Sequence, residues 1–275
     1  MIKLGDYNKL SILRNTTVGL YLGNGEDEIL LPKKYIPKRF EINEVLEVFV
    51  YLDHEERLVA TTLKPYVKVN EFAHLQVNHT NNIGAFLNWG LEKDVLAPFK
   101  EQAKPMEKGN RYLVYVYVDE KSNRIIASSR ISKYISDKPE NLSVNDEVHV
   151  MVSHINETGI HVIVNNKYKG LAYHNEIYEE IKPGNKKLAY IKNIREDGKI
   201  DISFKKLGAD AIDADASLIL NELKSNNGIL YLTDNSHPEE IKTVLKLSKK
   251  AFKRAIGNLY KQKLITINQD NIQIV

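Results

Sequence analysis

Val18-Gly19-Leu20-Tyr21-Leu22, Ile83-Gly84-Ala85-Phe86-Leu87 and Thr158-Gly159-Ile160-His161-Val162 are three versions of one phrase. Downstream of them stand Leu30-Leu31-Pro32, Leu96-Ala97-Pro98 and Leu171-Ala172-Tyr173. A hydrophobic run broken by a charged turn follows each time, over 48–62, 114–129 and 189–204. The glycines lie 65 and 75 residues apart, a period that suits a whole small domain better than a solenoid repeat. In strand alternation Leu20 and Leu22 share one face and Tyr21 takes the other, as do Phe86 and His161 in their copies. One face of each strand is therefore core, and the other carries a ring.

Residues 1–207 read as strands. Val148-His149-Val150-Met151-Val152 alternates with period two, and 112–118 is dense in β-branched and aromatic residues. Hairpin turns are expected at Asp53-His54-Glu55-Glu56, at 119–123 and at Glu196-Asp197-Gly198. About five strands per unit fits a small closed barrel of the OB type, which leaves no open sheet edge. The expected units are 1–66, 67–133 and 143–207, with 134–142 as a linker. Beyond Lys206 the pattern changes. Helical spacing over 214–223, a short strand at 229–232 and two helices are followed by a hairpin around Asn268-Gln269-Asp270-Asn271. Ser236-His237-Pro238-Glu239 suggests a capping box and Ser248 a second N-cap. That order over 215–275 is the order of a winged helix-turn-helix. The fold class expected is mainly β, three tandem OB-type barrels followed by an α/β winged helix.

Net charge is +3 overall, distributed as −1 over 1–66, +3 over 67–133, −2 over 134–214 and +3 over 215–275, so any electrostatic footprint is local. There is no cysteine, which excludes disulfides and cysteine-rich zinc sites and fits a cytoplasmic protein. No apolar run reaches the ~18 residues of a membrane span, and the N-terminus lacks a signal-peptide core.

An aromatic on the outer face of a barrel strand either packs on a neighbouring repeat or stacks a base, and three at one offset favour binding. Tyr21, Phe86 and His161 are thus the candidate base-stacking rings, and Trp89 reads as core. Arg57, Arg124 and Lys199 follow the hairpin turns, with Asp53 and Asp119 opening two of them; such cations either sit solvated or meet phosphate. In the last helix Lys249, Lys250, Lys253 and Arg254 form a basic surface that suits a nucleic-acid groove, and Arg254, Asn258 and Gln262 share a stripe. Catalytic patterns are poor. None of the eight histidines forms a zinc-hydrolase spacing, and no phosphate loop or nucleophile elbow is present. His74 and His79, like His149 and His154, are five apart, which on a straight strand places them on opposite faces.

The three phrases resemble the S-one type RNA-binding repeat, an OB-fold. The third copy is closest at Lys169-Gly170-Leu171-Ala172-Tyr173-His174, the second at Gly84-Ala85-Phe86-Leu87 and at Asp119 with Arg124. Three such repeats before a winged helix resemble the conserved virulence factor B family of bacterial RNA-binding regulators. Pro32 and Pro98 replace the repeat's usual His, Tyr173 replaces it in the third copy, and Arg195 stands where an Asp is usual. The resemblance implies a non-catalytic, post-transcriptional RNA-binding protein with no cofactor and no metal. It would bind single-stranded RNA as a cytoplasmic monomer, through Tyr21, Arg57, Phe86, Asp119, Arg124, His161, Tyr173 and Lys199. The alternatives are a DNA-binding transcription factor led by the winged helix and a ribosome- or nuclease-associated accessory protein.

Overall fold

A computed structural model describes residues 1–136, 138–174, 180–206 and 209–275, the side chains of 209–213 excepted. Asp137 of the expected linker and Leu207 of the expected third unit lie outside the described residues. The chain divides into two compact units, Met1–Ile135 and Ser136–Val275.

The first unit holds two barrels. In one, β1 (Tyr7–Asn15), β2 (Gly19–Gly23), β3 (Glu28–Pro32), β4 (Val45–Leu52) and β5 (Leu58–Thr61) close in the order β1-β2-β3-β5-β4. The other uses β6 (Glu71–Thr80), β7 (Gly84–Asn88), β8 (Val95–Pro98), β9 (Arg111–Val118) and β10 (Ile125–Ser128) with the same connections. In the second unit β11 (Glu147–Asn156), β12 (Gly159–Val164), β13 (Tyr168–Ala172), β14 (Lys186–Ile194) and β15 (Ile200–Ser203) repeat the pattern. All are antiparallel neighbours except the third and fifth strands, which pair in parallel. Leu20, Leu22, Ala85, Leu87, Ile160 and Val162 point inward and are buried, as the alternation requires.

The repeated glycine has a steric cause. Gly19, Gly84 and Gly159 adopt φ of +156°, +155° and +146° where the chain crosses the end of the third strand. A Cβ there would sit 2.1, 2.3 and 2.4 Å from the carbonyl oxygens of Leu31, Ala97 and Ala172. Any side chain would force the two strands apart at the point where the barrel closes.

Trp89 is buried at 3% exposure, and its role extends beyond its own barrel. Its ring meets Phe49 at 5.7 Å and Tyr51 at 6.5 Å, both edge-on, and its indole N–H donates to the Lys93 carbonyl at 2.6 Å. The two barrels of this unit therefore share one apolar cluster across their junction.

The winged helix has α1 (Ala209–Ser225), β16 (Ile229–Leu230), α2 (Pro238–Leu245), α3 (Lys249–Lys261), β17 (Ile265–Ile267) and β18 (Ile272–Ile274). Phe252, Ala255, Ile256 and Leu259 of α3 pack on Ile219, Leu223 and Ile241. Ser248 caps α3 by accepting from the Ala251 N–H. The cap of α2 departs from expectation. His237, not Ser236, is the N-cap; its ring accepts from Glu239 N while Glu240 accepts from His237 N. The Ser236 hydroxyl is engaged instead by the Thr233 N–H. Pro238 holds the first helical position, as expected.

Substituting Gly84→Ala is expected to lower stability by about 1–3 kcal/mol, read as a fall in thermal midpoint, because backbone must move to admit the methyl group. An unchanged midpoint would refute the closure role of this glycine.

Candidate nucleic-acid interface

The first strand of each barrel carries a one-residue irregularity, between Ile12 and Arg14, Val77 and His79, and Val152 and His154. The extra residue resets the alternation, so Arg14, His79 and His154 turn outward. This corrects the straight-strand argument, which put His79 and His154 opposite the histidines five residues earlier. Each residue lies directly across from the repeated ring: Arg14 from Tyr21, His79 from Phe86, His154 from His161. The Arg14 guanidinium stands 4.1 Å over the Tyr21 ring centre. His79 and Phe86 stack at 4.4 Å and 8°, and His154 and His161 at 4.2 Å and 8°. Sequence reasoning missed these partners, although each precedes its ring by seven residues.

From each ring an in-register row runs on around the barrel. It passes Leu30, Val59 and Tyr51 in the first, Leu96, Ile126 and Tyr117 in the second, and Leu171, Asp201 and Asn193 in the third. A cleft of about 760 Å³ adjoins Tyr21, Leu30, Val59 and Tyr51. One of about 170 Å³ adjoins Phe86, Leu96, Ile126 and Arg124. In the third barrel Arg195 donates to the Tyr173 hydroxyl at 2.6 Å and pairs with Asp201 at 2.6 Å. The carboxylate raises the guanidinium's affinity for its proton, so Arg195 is a fixed cation beside the row.

The basic residues chosen from the hairpins are all engaged. Arg57 forks onto Asp53 at 2.8 and 3.0 Å and also reaches Glu55 at 2.8 Å. Burial raises the Asp53 carboxyl, but hydrogen bonds from the Arg57 backbone and guanidinium outweigh it and hold the group below its usual range. Arg124 donates to Glu56 of the neighbouring barrel at 2.7 Å, and Lys199 to Asp197 at 2.7 Å. Asp119 accepts from the Ser122 hydroxyl and backbone, which lowers its affinity for a proton; its place is in the turn. The β9 strand has no register shift, so Tyr115 and Tyr117 both face outward, and Tyr134 stacks on Tyr115 at 4.1 Å.

In the winged helix Lys253 pairs with Asp234 at 3.3 Å, Arg254 approaches Asp215 at 3.6 Å, and Lys249 donates to the Asn235 carbonyl at 3.4 Å. Lys250 is exposed and makes no ion pair among the described residues. Burial pushes the Asp215 carboxyl up and the Lys205 ammonium down, each partly offset by the other's charge. Gln262 donates to Asn258 at 3.1 Å, so the amide stripe beyond Arg254 bonds within itself. Among the described residues no group of acidic and histidine side chains has the arrangement to hold a metal, and no helix is long and apolar enough to cross a membrane.

Comparison with known proteins matches the first two barrels and the winged helix. The family model for the S1 domain matches residues 4–63 and 71–129, and that for the CvfB-like winged helix domain matches 217–274. The YitL protein of Bacillus subtilis is 30% identical over 94% of this chain and 89% of its own length. Conserved virulence factor B of Staphylococcus saprophyticus is 28% identical over 95% of this chain and 90% of its own. A crystal structure of a multidomain protein with nucleic acid binding domains from Streptococcus pneumoniae is 23% identical, covering 99% of this chain and 98% of that one, with a TM-score of 0.41.

Although Glu56 holds Arg124 in the free protein, Arg124→Ala is expected to lower the salt slope of binding to single-stranded RNA by up to about 0.7, the contribution of one phosphate contact. An unchanged slope would show that Arg124 does not meet the backbone.

Proposed function

Because the chain belongs to the conserved virulence factor B family, with S1 and winged helix domains that bind nucleic acid, we propose that it is a non-catalytic protein that binds single-stranded RNA and regulates it post-transcriptionally. The observation that carries this reading is the ring at one offset on the outer face of three barrels, each stacked on a planar group from the adjacent strand. Such rings need unpaired bases, which a duplex does not offer. Phosphate contacts come from cations bordering the rows, Arg57, Arg124, Lys199 and Arg195, once they exchange a carboxylate for a phosphate. Asp119 supports its turn, and Tyr173 holds Arg195 beside the third row.

The rival reading, a duplex-DNA factor led by the winged helix, relies on the cations of α3. Lys249, Lys253 and Arg254 are held by the module's own acceptors. The turn Asn268-Gln269-Asp270-Asn271 between β17 and β18 carries no cation at all. We assign the module an auxiliary, sequence-independent phosphate contact, in which Lys250 is, of the four cations Lys249, Lys250, Lys253 and Arg254, the one not held by the module's own acceptors among the described residues. Joined to the barrels it raises their apparent affinity through effective concentration.

Competition of single-stranded RNA against duplex DNA of equal length tests the choice, with RNA expected to win at moderate salt. Equal competition would defeat the reading. Phe86→Ala should weaken RNA binding by about 1–3 kcal/mol with an unchanged salt slope, since a ring contributes stacking and no charge. Full affinity in a folded variant would remove Phe86 from the interface.

A further inference from the structure

The three cross-strand pairs have the same position and different acid–base chemistry. Arg14 is always charged, and its charge is met by Glu28 at 2.7 Å. His79 lies 3.7 Å from the Asp94 carboxylate. The third pair is two imidazoles, and neither makes an ion pair among the described residues. Around them, β11 carries His154, His149 and Glu147, and the turn after it carries Glu157. On the other side β13 carries Lys169, and His174 beyond it is bound to the Asn156 carbonyl at 2.6 Å. Asp201 of β15 is committed to Arg195.

The hydrogen bonds fix which nitrogen of His161 titrates. The Thr158 hydroxyl donates to Asn156 Oδ1 at 2.6 Å, so its oxygen can only accept from the ring. His161 Nε2 lies 3.1 Å from that oxygen and 3.2 Å from Asn156 Oδ1, both acceptors. Nε2 therefore carries the hydrogen and Nδ1 is the site of protonation. Burial and the stacked His154 ring both disfavour the imidazolium and hold His161 below the usual histidine range.

We propose that His154 and His161 form one composite contact of the third barrel, and that nucleic acid seated on this pair is bound together with a proton. The proposal rests on the RNA-binding reading above. A phosphate beside the rings, or a base on their outer face, supplies the negative potential that the empty site lacks. It favours the imidazolium, which in turn strengthens the contact. The sign follows. Protonation is easier in the bound state, so affinity is highest at acidic pH. It falls as pH rises through the bound-state value and is flat above it.

The test uses the full chain and an oligouridylate of about ten nucleotides, within the footprint of a single OB barrel. Affinity is measured from about pH 5.5 to about pH 8, where imidazoles titrate. Binding is expected to strengthen on acidification by up to about tenfold per pH unit, the limit for one proton. His161→Phe keeps a planar ring but has no proton to take up, so its affinity should no longer vary with pH, whereas the pH dependence should persist in His79→Phe. In the unsubstituted protein, the ring-proton resonances of His161 should titrate at higher pH with the oligomer than without. A pH-independent affinity of the unsubstituted protein, a pH dependence that persists in His161→Phe, or an unmoved His161 titration overturns the proposal alone. No binding at any pH overturns the RNA reading and the proposal with it.

Discussion

One extra residue in the first strand of each barrel organises both the fold and the outer surface. A strand that must curve around a five-stranded barrel cannot keep strict alternation along nine or ten residues. The bulge supplies the bend and strengthens the local twist. It also shifts the parity of every later residue, so the last turn of the strand shows the outer face a residue that straight geometry would have placed elsewhere. Arg14, His79 and His154 meet the rings for that reason. The glycine beginning the next strand completes the arrangement, since only a residue without Cβ lets that strand cross so close to the third.

The surface around the rings is charged yet internally compensated. Arg57, Arg124, Lys199 and Arg195 each hold a carboxylate at 2.6–2.8 Å. Where both partners are exposed, as in Lys199–Asp197 and Arg124–Glu56, such a pair adds about 0–1 kcal/mol to stability and is easily exchanged for another anion. These pairs keep the cations extended and oriented, and a phosphate replaces one oxygen anion with another at little reorganisation cost. The small net charge of +3 is consistent with this balance and explains why total charge gave so little indication of a polyanionic partner.

What could be read from the sequence was whatever depends on local periodicity. The inward leucines, the outward rings, the turns at Asp53, Asp119 and Asp197 and the helix cap at Ser248 all follow from neighbours a few residues apart. The residues across the bulge escaped because one inserted residue inverts a period-two argument. Trp89 was legible as buried but not as the junction between two barrels, because Phe49 and Tyr51 are some forty residues away in the chain. Tyr134 read as linker for the same reason: only the folded chain brings it onto Tyr115. The acidic partners of α3 were hidden likewise, since Asp215 and Asp234 reach Arg254 and Lys253 through packing alone.

Equivalent positions have diverged in a consistent direction. In the first barrel Trp89 covers Tyr51 and Val59, so the far end of that row is spent on holding two barrels together. In the second the row from Phe86 to Tyr117 remains aromatic and apolar, which suits stacking. In the third, Asp201 and Asn193 stand where the second row has Ile126 and Tyr117, and a histidine replaces the carbocyclic ring, so the same strip becomes polar and titratable. A repeated fold thus presents three unlike surfaces, braced against a neighbouring barrel in the first, aromatic and apolar in the second, and polar in the third.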